Sequence, residues 1–87
     1  MSQATDRSRE LPPVTFSSFV VSLATSAMGH LGEGPEAELN LPLAKHTIDL
    51  LGVLFDKTKG NLDDEEARLV EAVLYETRMR YLEETKK

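Results

Sequence analysis

Apolar residues recur every three to four positions along three stretches of the chain, and this spacing is typical of amphipathic helices. It predicts helices over about 16–31, 41–58 and 64–84. No stretch shows the strict alternation of apolar and polar residues that a half-buried strand requires. We therefore expect an all-α fold, with a disordered, flexible N-terminal lead over 1–13 and a single three-helix domain over 14–87.

Short polar residues stand where the helices should begin. Thr15 or Ser17 can cap the first helix, and Asn40 can cap the second. Asp63, followed three residues later by Glu66, resembles a capping box. The apolar stripe of the first helix is regular and predicts the residues that it buries, which are Phe16, Phe19, Val20, Leu23, Ala24, Ala27, Met28 and Leu31.

Two surfaces do not resemble solvent-facing helix surfaces. The first helix has no charged residue between Leu11 and Leu31, and its outer face is made of small residues, which allow a second backbone to approach closely. The third helix has a second apolar stripe beside the one expected to face the core. Both features favour contact with another subunit, and the interface candidates are Ser18, Ser22, Thr25, Gly29, Tyr75, Met79 and Leu82.

Two other interpretations of the first helix remain open. Its outer face is a small, polar, exposed surface in one of them, and the helix spans a membrane in the other. A span needs about 20 predominantly apolar residues. The Ser- and Thr-rich composition, the Pro12-Pro13 start and His30 argue against a span.

Composition narrows the class of protein. A chain of 87 residues predicts one domain, and the absence of Cys excludes disulfides and thiolate metal sites. The net charge of −5 argues against a duplex nucleic acid or an anionic membrane as partner. The polar start of the chain lacks the apolar segment of a secretory signal, so we expect a soluble cytoplasmic protein.

No chemical motif emerges from the polar residues. His30 and His46 are the only histidines, and their spacing matches no metal-ligand signature. We predict no catalytic, cofactor-binding or metal-binding residue, and no cofactor. Arg80 lies four residues after Glu76, which predicts an exposed ion pair between them.

Several blocks of sequence resemble the bacterial family known as domain of unknown function 1844. They are FSSFVVSLATSA at 16–27, HLG at 30–32, NLPLAKHTIDLL at 40–51, KTKGNL at 57–62 and LYETRMRY at 74–81. The resemblance covers about 11–86 and implies a short bacterial cytoplasmic protein, without implying an activity. Similar sequences often have Glu in place of Pro42 and Thr in place of Asp63. Glu is suited to the first turn of a helix and Thr can cap one, so both changes are compatible with the predicted helix starts. The residues that match the family pattern include Thr25, Ser26, His30, Lys45, Asp49, Asn61, Arg78 and Arg80.

Three functions are consistent with these observations. The first is a non-enzymatic interaction module that forms a homo-oligomer or binds an unknown protein partner. A dimer is the oligomer that we favour. The second is a ligand-binding or enzymatic pocket between helices, built from His30, Asp49, Arg78 and Tyr81. The third is RNA or ribosome association through the basic C-terminal end. A pocket in which those four residues converge favours the second function, and an apolar face without such a pocket favours the first.

Overall fold

The computed structural model describes residues 13–87, and this part of the chain forms three α-helices. They are α1 (Phe16–His30), α2 (Leu41–Lys57) and α3 (Asp64–Thr85). The predicted all-α, three-helix fold is confirmed, and no helix end differs from its predicted position by more than one residue. The predicted lead over 1–13 lies, apart from Pro13, outside the described residues.

The first two helices begin at capped residues. Thr15 Oγ1 accepts a hydrogen bond from the backbone N–H of Ser18 at 3.0 Å, and Ser18 Oγ accepts one from the N–H of Thr15 at 2.9 Å. This reciprocal capping box makes Thr15, rather than Ser17, the N-cap of α1. Asn40 Oδ1 accepts a hydrogen bond from the N–H of Leu43 at 3.0 Å and caps α2 in the same way.

The third helix has the capping box predicted for it. Asp63 Oδ1 accepts a hydrogen bond from the N–H of Glu66 at 2.8 Å, and Glu66 Oε1 accepts one from the N–H of Asp63 at 3.0 Å. The loops after α1 and α2 turn at Gly32 and Gly60, whose φ angles are +93° and +87°. Only glycine adopts such angles without strain, so both positions end the preceding helix sharply.

All three helices contact one another around one small apolar core. Thr77 is a polar residue within it, and its hydroxyl donates to the Val73 carbonyl at 2.8 Å, so it is buried with its hydrogen bond satisfied. Phe19, predicted for the buried stripe of α1, lies at the edge of the core and is 49% exposed. The buried cluster consists of Val20, Ala27, Ile48, Leu51, Val70, Val73 and Leu74.

An ion pair joins α3 to the loop between α1 and α2. The Arg80 guanidinium binds Glu33 in that loop, and its Nε lies 3.3 Å from Glu84 Oε2. The predicted Arg80–Glu76 pair is therefore wrong. Arg80 meets Glu33 because α3 packs beside the end of α1, and no local spacing rule reports that contact. Among the helices of residues 13–87, none is both long and apolar enough to cross a bilayer.

Candidate functional site

The predicted interface on α1 is open in the structure. We call Ser18, Ser22, Thr25 and Gly29 the α1 outer face; Ser22 and Thr25 are exposed, and the other two are half-buried. Ser18 is occupied in the capping box, and the Thr25 hydroxyl donates to the Val21 carbonyl at 2.9 Å. A Cβ added to Gly29 would meet no atom within 4 Å. The face is thus uncharged and only partly covered, and two of its three hydroxyls bond within their own helix.

The predicted interface on α3 is apolar and more exposed. We call Tyr75, Met79 and Leu82 the α3 stripe; their exposed fractions are 67%, 43% and 50%. They lie three and four residues apart, so they share one side of the helix. The three side chains line the edge of a groove between α2 and α3, to which α1 contributes no residue. The α1 outer face and the α3 stripe are therefore two separate surfaces.

The groove between α2 and α3 consists of two adjoining depressions of about 420 and 290 Å³. Arg78 lines both of them. A Cβ added to Gly52 of α2 would lie 3.2 Å from the Arg78 Nη2 atom, so the guanidinium lies directly across this glycine. At the rim of the smaller depression, Lys45 Nζ binds Asp49 Oδ2 at 2.8 Å, an exposed ion pair between residues four apart.

The structure brings together three of the four residues that sequence suggested for a pocket. Asp49, Arg78 and Tyr81 line the smaller depression, together with Lys45. His30 lies elsewhere and lines a shallow region beside the 36–40 segment. The Asp49 carboxylate is bound to Lys45 at the rim of this depression. Arg78 gives this depression a group that can bind a carboxylate.

A second apolar groove was not identified from the sequence. It lies between α1 and α2, has a volume of about 310 Å³ and has Lys57 at its rim. Phe19, Leu50 and Val53 leave 49%, 44% and 57% of their surfaces exposed there. The sequence of α2 could have indicated this groove, because the helix has more apolar positions than one buried stripe needs.

Half of the basic groups near the C-terminal end are neutralised within the chain. Arg80 pairs with Glu33 and Glu84, and Lys87 Nζ lies 3.2 Å from Glu84 Oε2. The remaining two, Arg78 and Lys86, have no ion-pair partner within residues 13–87.

Comparison with known proteins identifies a family. The family model described as Domain of unknown function (DUF1844) matches residues 13–83. Searches of curated proteins and of solved structures give no match. The matched range includes α1 and α2 completely and nearly all of α3. The chain belongs to the DUF1844 family.

Proposed function

We propose that this protein is a self-association module that works as a homo-oligomer and has no catalytic role of its own. The observation that carries this proposal is the α3 stripe. Isolated exposed apolar residues are normal on a protein surface. Here three large ones lie together on one side of one helix, and the rest of the described chain does not cover them.

The energetics favour burial of this stripe by a partner. A domain of this size buries a smaller share of its surface than a larger domain and gains correspondingly less from its core. Burial of apolar surface contributes roughly 25 cal/mol per Å². Tyr75 and Leu82 are at least half exposed, so a second protein surface against them would supply burial that the monomer lacks. Tyr is also enriched at the centres of protein interfaces.

Charge favours specific contacts between copies over random ones. At a net charge of −5, two copies repel each other unless they meet through neutral or complementary surfaces. The α3 stripe is apolar, and the α1 outer face is uncharged. The strongly acidic regions, such as 63–66 at the start of α3, are unsuitable for contact with the same region of another copy.

The two candidate surfaces have different roles in this proposal. Each is self-complementary only about its own twofold axis, because they lie on separate surfaces of the domain. The α3 stripe offers more apolar area, so it forms the stronger contact and gives the dimer. The sequence predicts the α1 outer face as the self-association surface, and in this proposal that face forms a second, weaker contact.

The test is the oligomeric state of the full chain. Sedimentation equilibrium, from nanomolar to high micromolar protein at physiological ionic strength, should show a reversible dimer whose population rises with concentration. Tyr75→Ser should weaken dimerisation, since it removes the most exposed member of the stripe. Glu65→Gln is a matched control on the exposed surface of the same helix. A wild-type chain that stays monomeric over the whole range overturns the proposal.

A second candidate function rests on Arg78. Arg78 lines the smaller depression together with Ile48 and Tyr81, and it has no ion-pair partner within residues 13–87. Such a site suits a carboxylate joined to an apolar group. Titration with benzoate, followed by NMR shifts of the Arg78 and Tyr81 signals, tests it. Tyr81 shifts that occur in the wild type and are absent in Arg78→Gln support this function, and unchanged wild-type spectra reject it.

A further inference from the structure

We infer that the second copy packs its own α3 antiparallel against the α3 stripe, about a twofold axis beside the Arg78–Met79 peptide. This inference rests on the proposed self-association and specifies its geometry. It follows from the order of residues along the exposed side of α3. In a pair of antiparallel helices, positions at equal distances on either side of the axis face each other across the contact.

The apolar residues match in this register. Tyr75 and Leu82 stand at equal distances from the Arg78–Met79 peptide. Each Tyr75 therefore lies opposite Leu82 of the second copy, and symmetry makes this contact twice. Met79, beside the axis, lies near Met79 of the second copy. A large aromatic ring meets an aliphatic side chain at both ends, and the flexible thioether chains fill the centre.

The flanking charges match in the same register. Glu71 and Lys86 also stand at equal distances from the Arg78–Met79 peptide. Both are exposed, and neither has an ion-pair partner within residues 13–87. Antiparallel pairing places each Glu71 opposite Lys86 of the second copy. The apolar centre thus has a complementary ion pair at each end.

The distribution of charge along α3 also favours antiparallel over parallel packing of the two copies. The segment 61–76 has five more acidic than basic residues, whereas 77–87 has two more basic than acidic residues. Antiparallel helices place the acidic half of each copy beside the basic half of the other. Parallel helices would align acid with acid along several turns, and like charges at short separation repel.

Arg78 is accommodated because it folds back onto its own domain. A twofold axis beside this residue brings two guanidinium groups near each other. The Arg78 side chain lies across Gly52 of α2, where the missing Cβ leaves room for it. The guanidinium therefore sits over the groove of its own domain, and the closest approach between copies falls on the Met79 side.

Charge reversal tests the register. Glu71→Lys alone and Lys86→Glu alone should each weaken dimerisation, by roughly threefold to tenfold in Kd, because each turns two attractive pairs into repulsive ones. The double variant Glu71→Lys/Lys86→Glu should restore dimerisation to near the wild-type level. Glu76→Lys is the matched control, since this exposed glutamate directly follows Tyr75 and lies off the stripe. It should change Kd less than either of those single variants, because it alters the acidic charge of this half of α3 without changing the proposed pair.

Cysteine cross-linking tests whether the two α3 helices run antiparallel. The chain has no native Cys, so any disulfide must form through the introduced residue. Met79→Cys should give a covalent dimer on mild oxidation. Arg68→Cys should not, because antiparallel pairing places the two copies of this position about 30 Å apart along the helices. A parallel pair would cross-link at both positions.

The possible outcomes distinguish the antiparallel α3 pair from self-association in general. A monomeric wild type overturns both. A dimer that tolerates both charge reversals, or that cross-links through Arg68→Cys, overturns the antiparallel α3 pair and leaves self-association standing. Loss of dimerisation in both single variants, with recovery in the double variant, supports the register. Another protein's helix on the stripe would not produce that recovery.

Discussion

The three helices begin at residues whose side chains replace missing intrahelical hydrogen bonds. Thr15, Asn40 and Asp63 each accept from the backbone N–H three residues ahead, at 2.8–3.0 Å. The first N–H groups of a helix have no intrahelical acceptor, so these oxygens satisfy groups that would otherwise depend on water. Every such contact is complete within four consecutive residues.

Removal of one cap should have a measurable cost. We expect Asp63→Ala to lower the free energy of unfolding by about 0.5–2 kcal/mol, because the Glu66 N–H loses its acceptor. Urea unfolding monitored by circular dichroism measures this. Asp63→Asn keeps a capping oxygen and should retain most of the stability. Equal losses in both variants would indicate that charge, rather than the cap, stabilises this helix start.

Gly52, inside α2, offers a second test of how single residues affect stability. Gly52→Ala should raise the free energy of unfolding by about 0.5–1 kcal/mol, because alanine favours the helix. The added Cβ would lie 3.2 Å from Arg78 Nη2, the far end of a flexible and exposed side chain that can move aside. Gly29→Ala is the control, since its Cβ meets nothing within 4 Å. A loss of stability in Gly52→Ala alone would show that Arg78 is held firmly over the groove.

At the scale of elements, a small charge network ties α3 to the rest of the bundle. Arg80 reaches Glu33 in the α1–α2 loop and Glu84 one turn along its own helix. Glu84 also accepts a hydrogen bond from Lys87. Hydrogen bonds from Lys87, and then from Arg80, hold the pKa of the Glu84 carboxyl below its ordinary value, against partial desolvation that acts in the opposite direction.

This network predicts a pH dependence. The pKa of Glu84 is lower in the folded chain than in the unfolded one, so its contribution to stability is present above the ordinary value of 4.5. The contribution is lost as pH falls through the lower, folded value. Lys87→Met should raise the pKa of Glu84 toward its ordinary value and make the loss of stability in acid shallower. An NMR titration of the Glu84 carboxyl measures the first effect directly.

The neighbouring lysine provides the control for that titration. Lys86→Met removes the same charge but no hydrogen bond to Glu84, so it should leave the Glu84 pKa nearly unchanged. Equal pKa shifts in the two variants would show that general screening of charge, and not the hydrogen bond, sets this value. Oligomeric state must be the same in both samples, because Lys86 lies at the proposed contact.

Sequence predicts an element when the interactions that define it are local. The capping box of Asp63 and the turn at Gly60 depend on a few adjacent residues, and both were predictable. The partner of Arg80 was not, because Glu33 is distant in the chain and becomes its neighbour only after the helices pack. The spacing rule chose Glu76 because it considers only residues on the same helix. The helices themselves were predicted correctly because their apolar spacing is also a local property.

In the molecule as a whole, the positions of residues on the helices did not predict every exposed surface, nor how the surfaces are arranged. Phe19 fits the apolar stripe of α1, yet the core is too narrow to cover it, and it borders a groove with Leu50. Asp49 and Arg78 lie together because α2 packs beside α3, whereas His30 lies at the end of α1 and faces another part of the surface. These arrangements depend on helix packing, which a periodicity pattern does not determine.

The α1 outer face could extend assembly beyond the dimer. The α3 contact and an α1 contact have separate twofold axes, so a protein that uses both forms tetramers or longer chains at high concentration. Ser22→Glu places a charge in the middle of the α1 outer face and should stop assembly at the dimer. Helix content should persist, since Glu favours helices. Ser22→Ala keeps the face small and uncharged and should assemble as the wild type does. Light scattering at increasing concentration distinguishes these states. A wild type that never exceeds a dimer, together with an equally stable dimer of Ser22→Glu, would show that this face has no partner in a second copy.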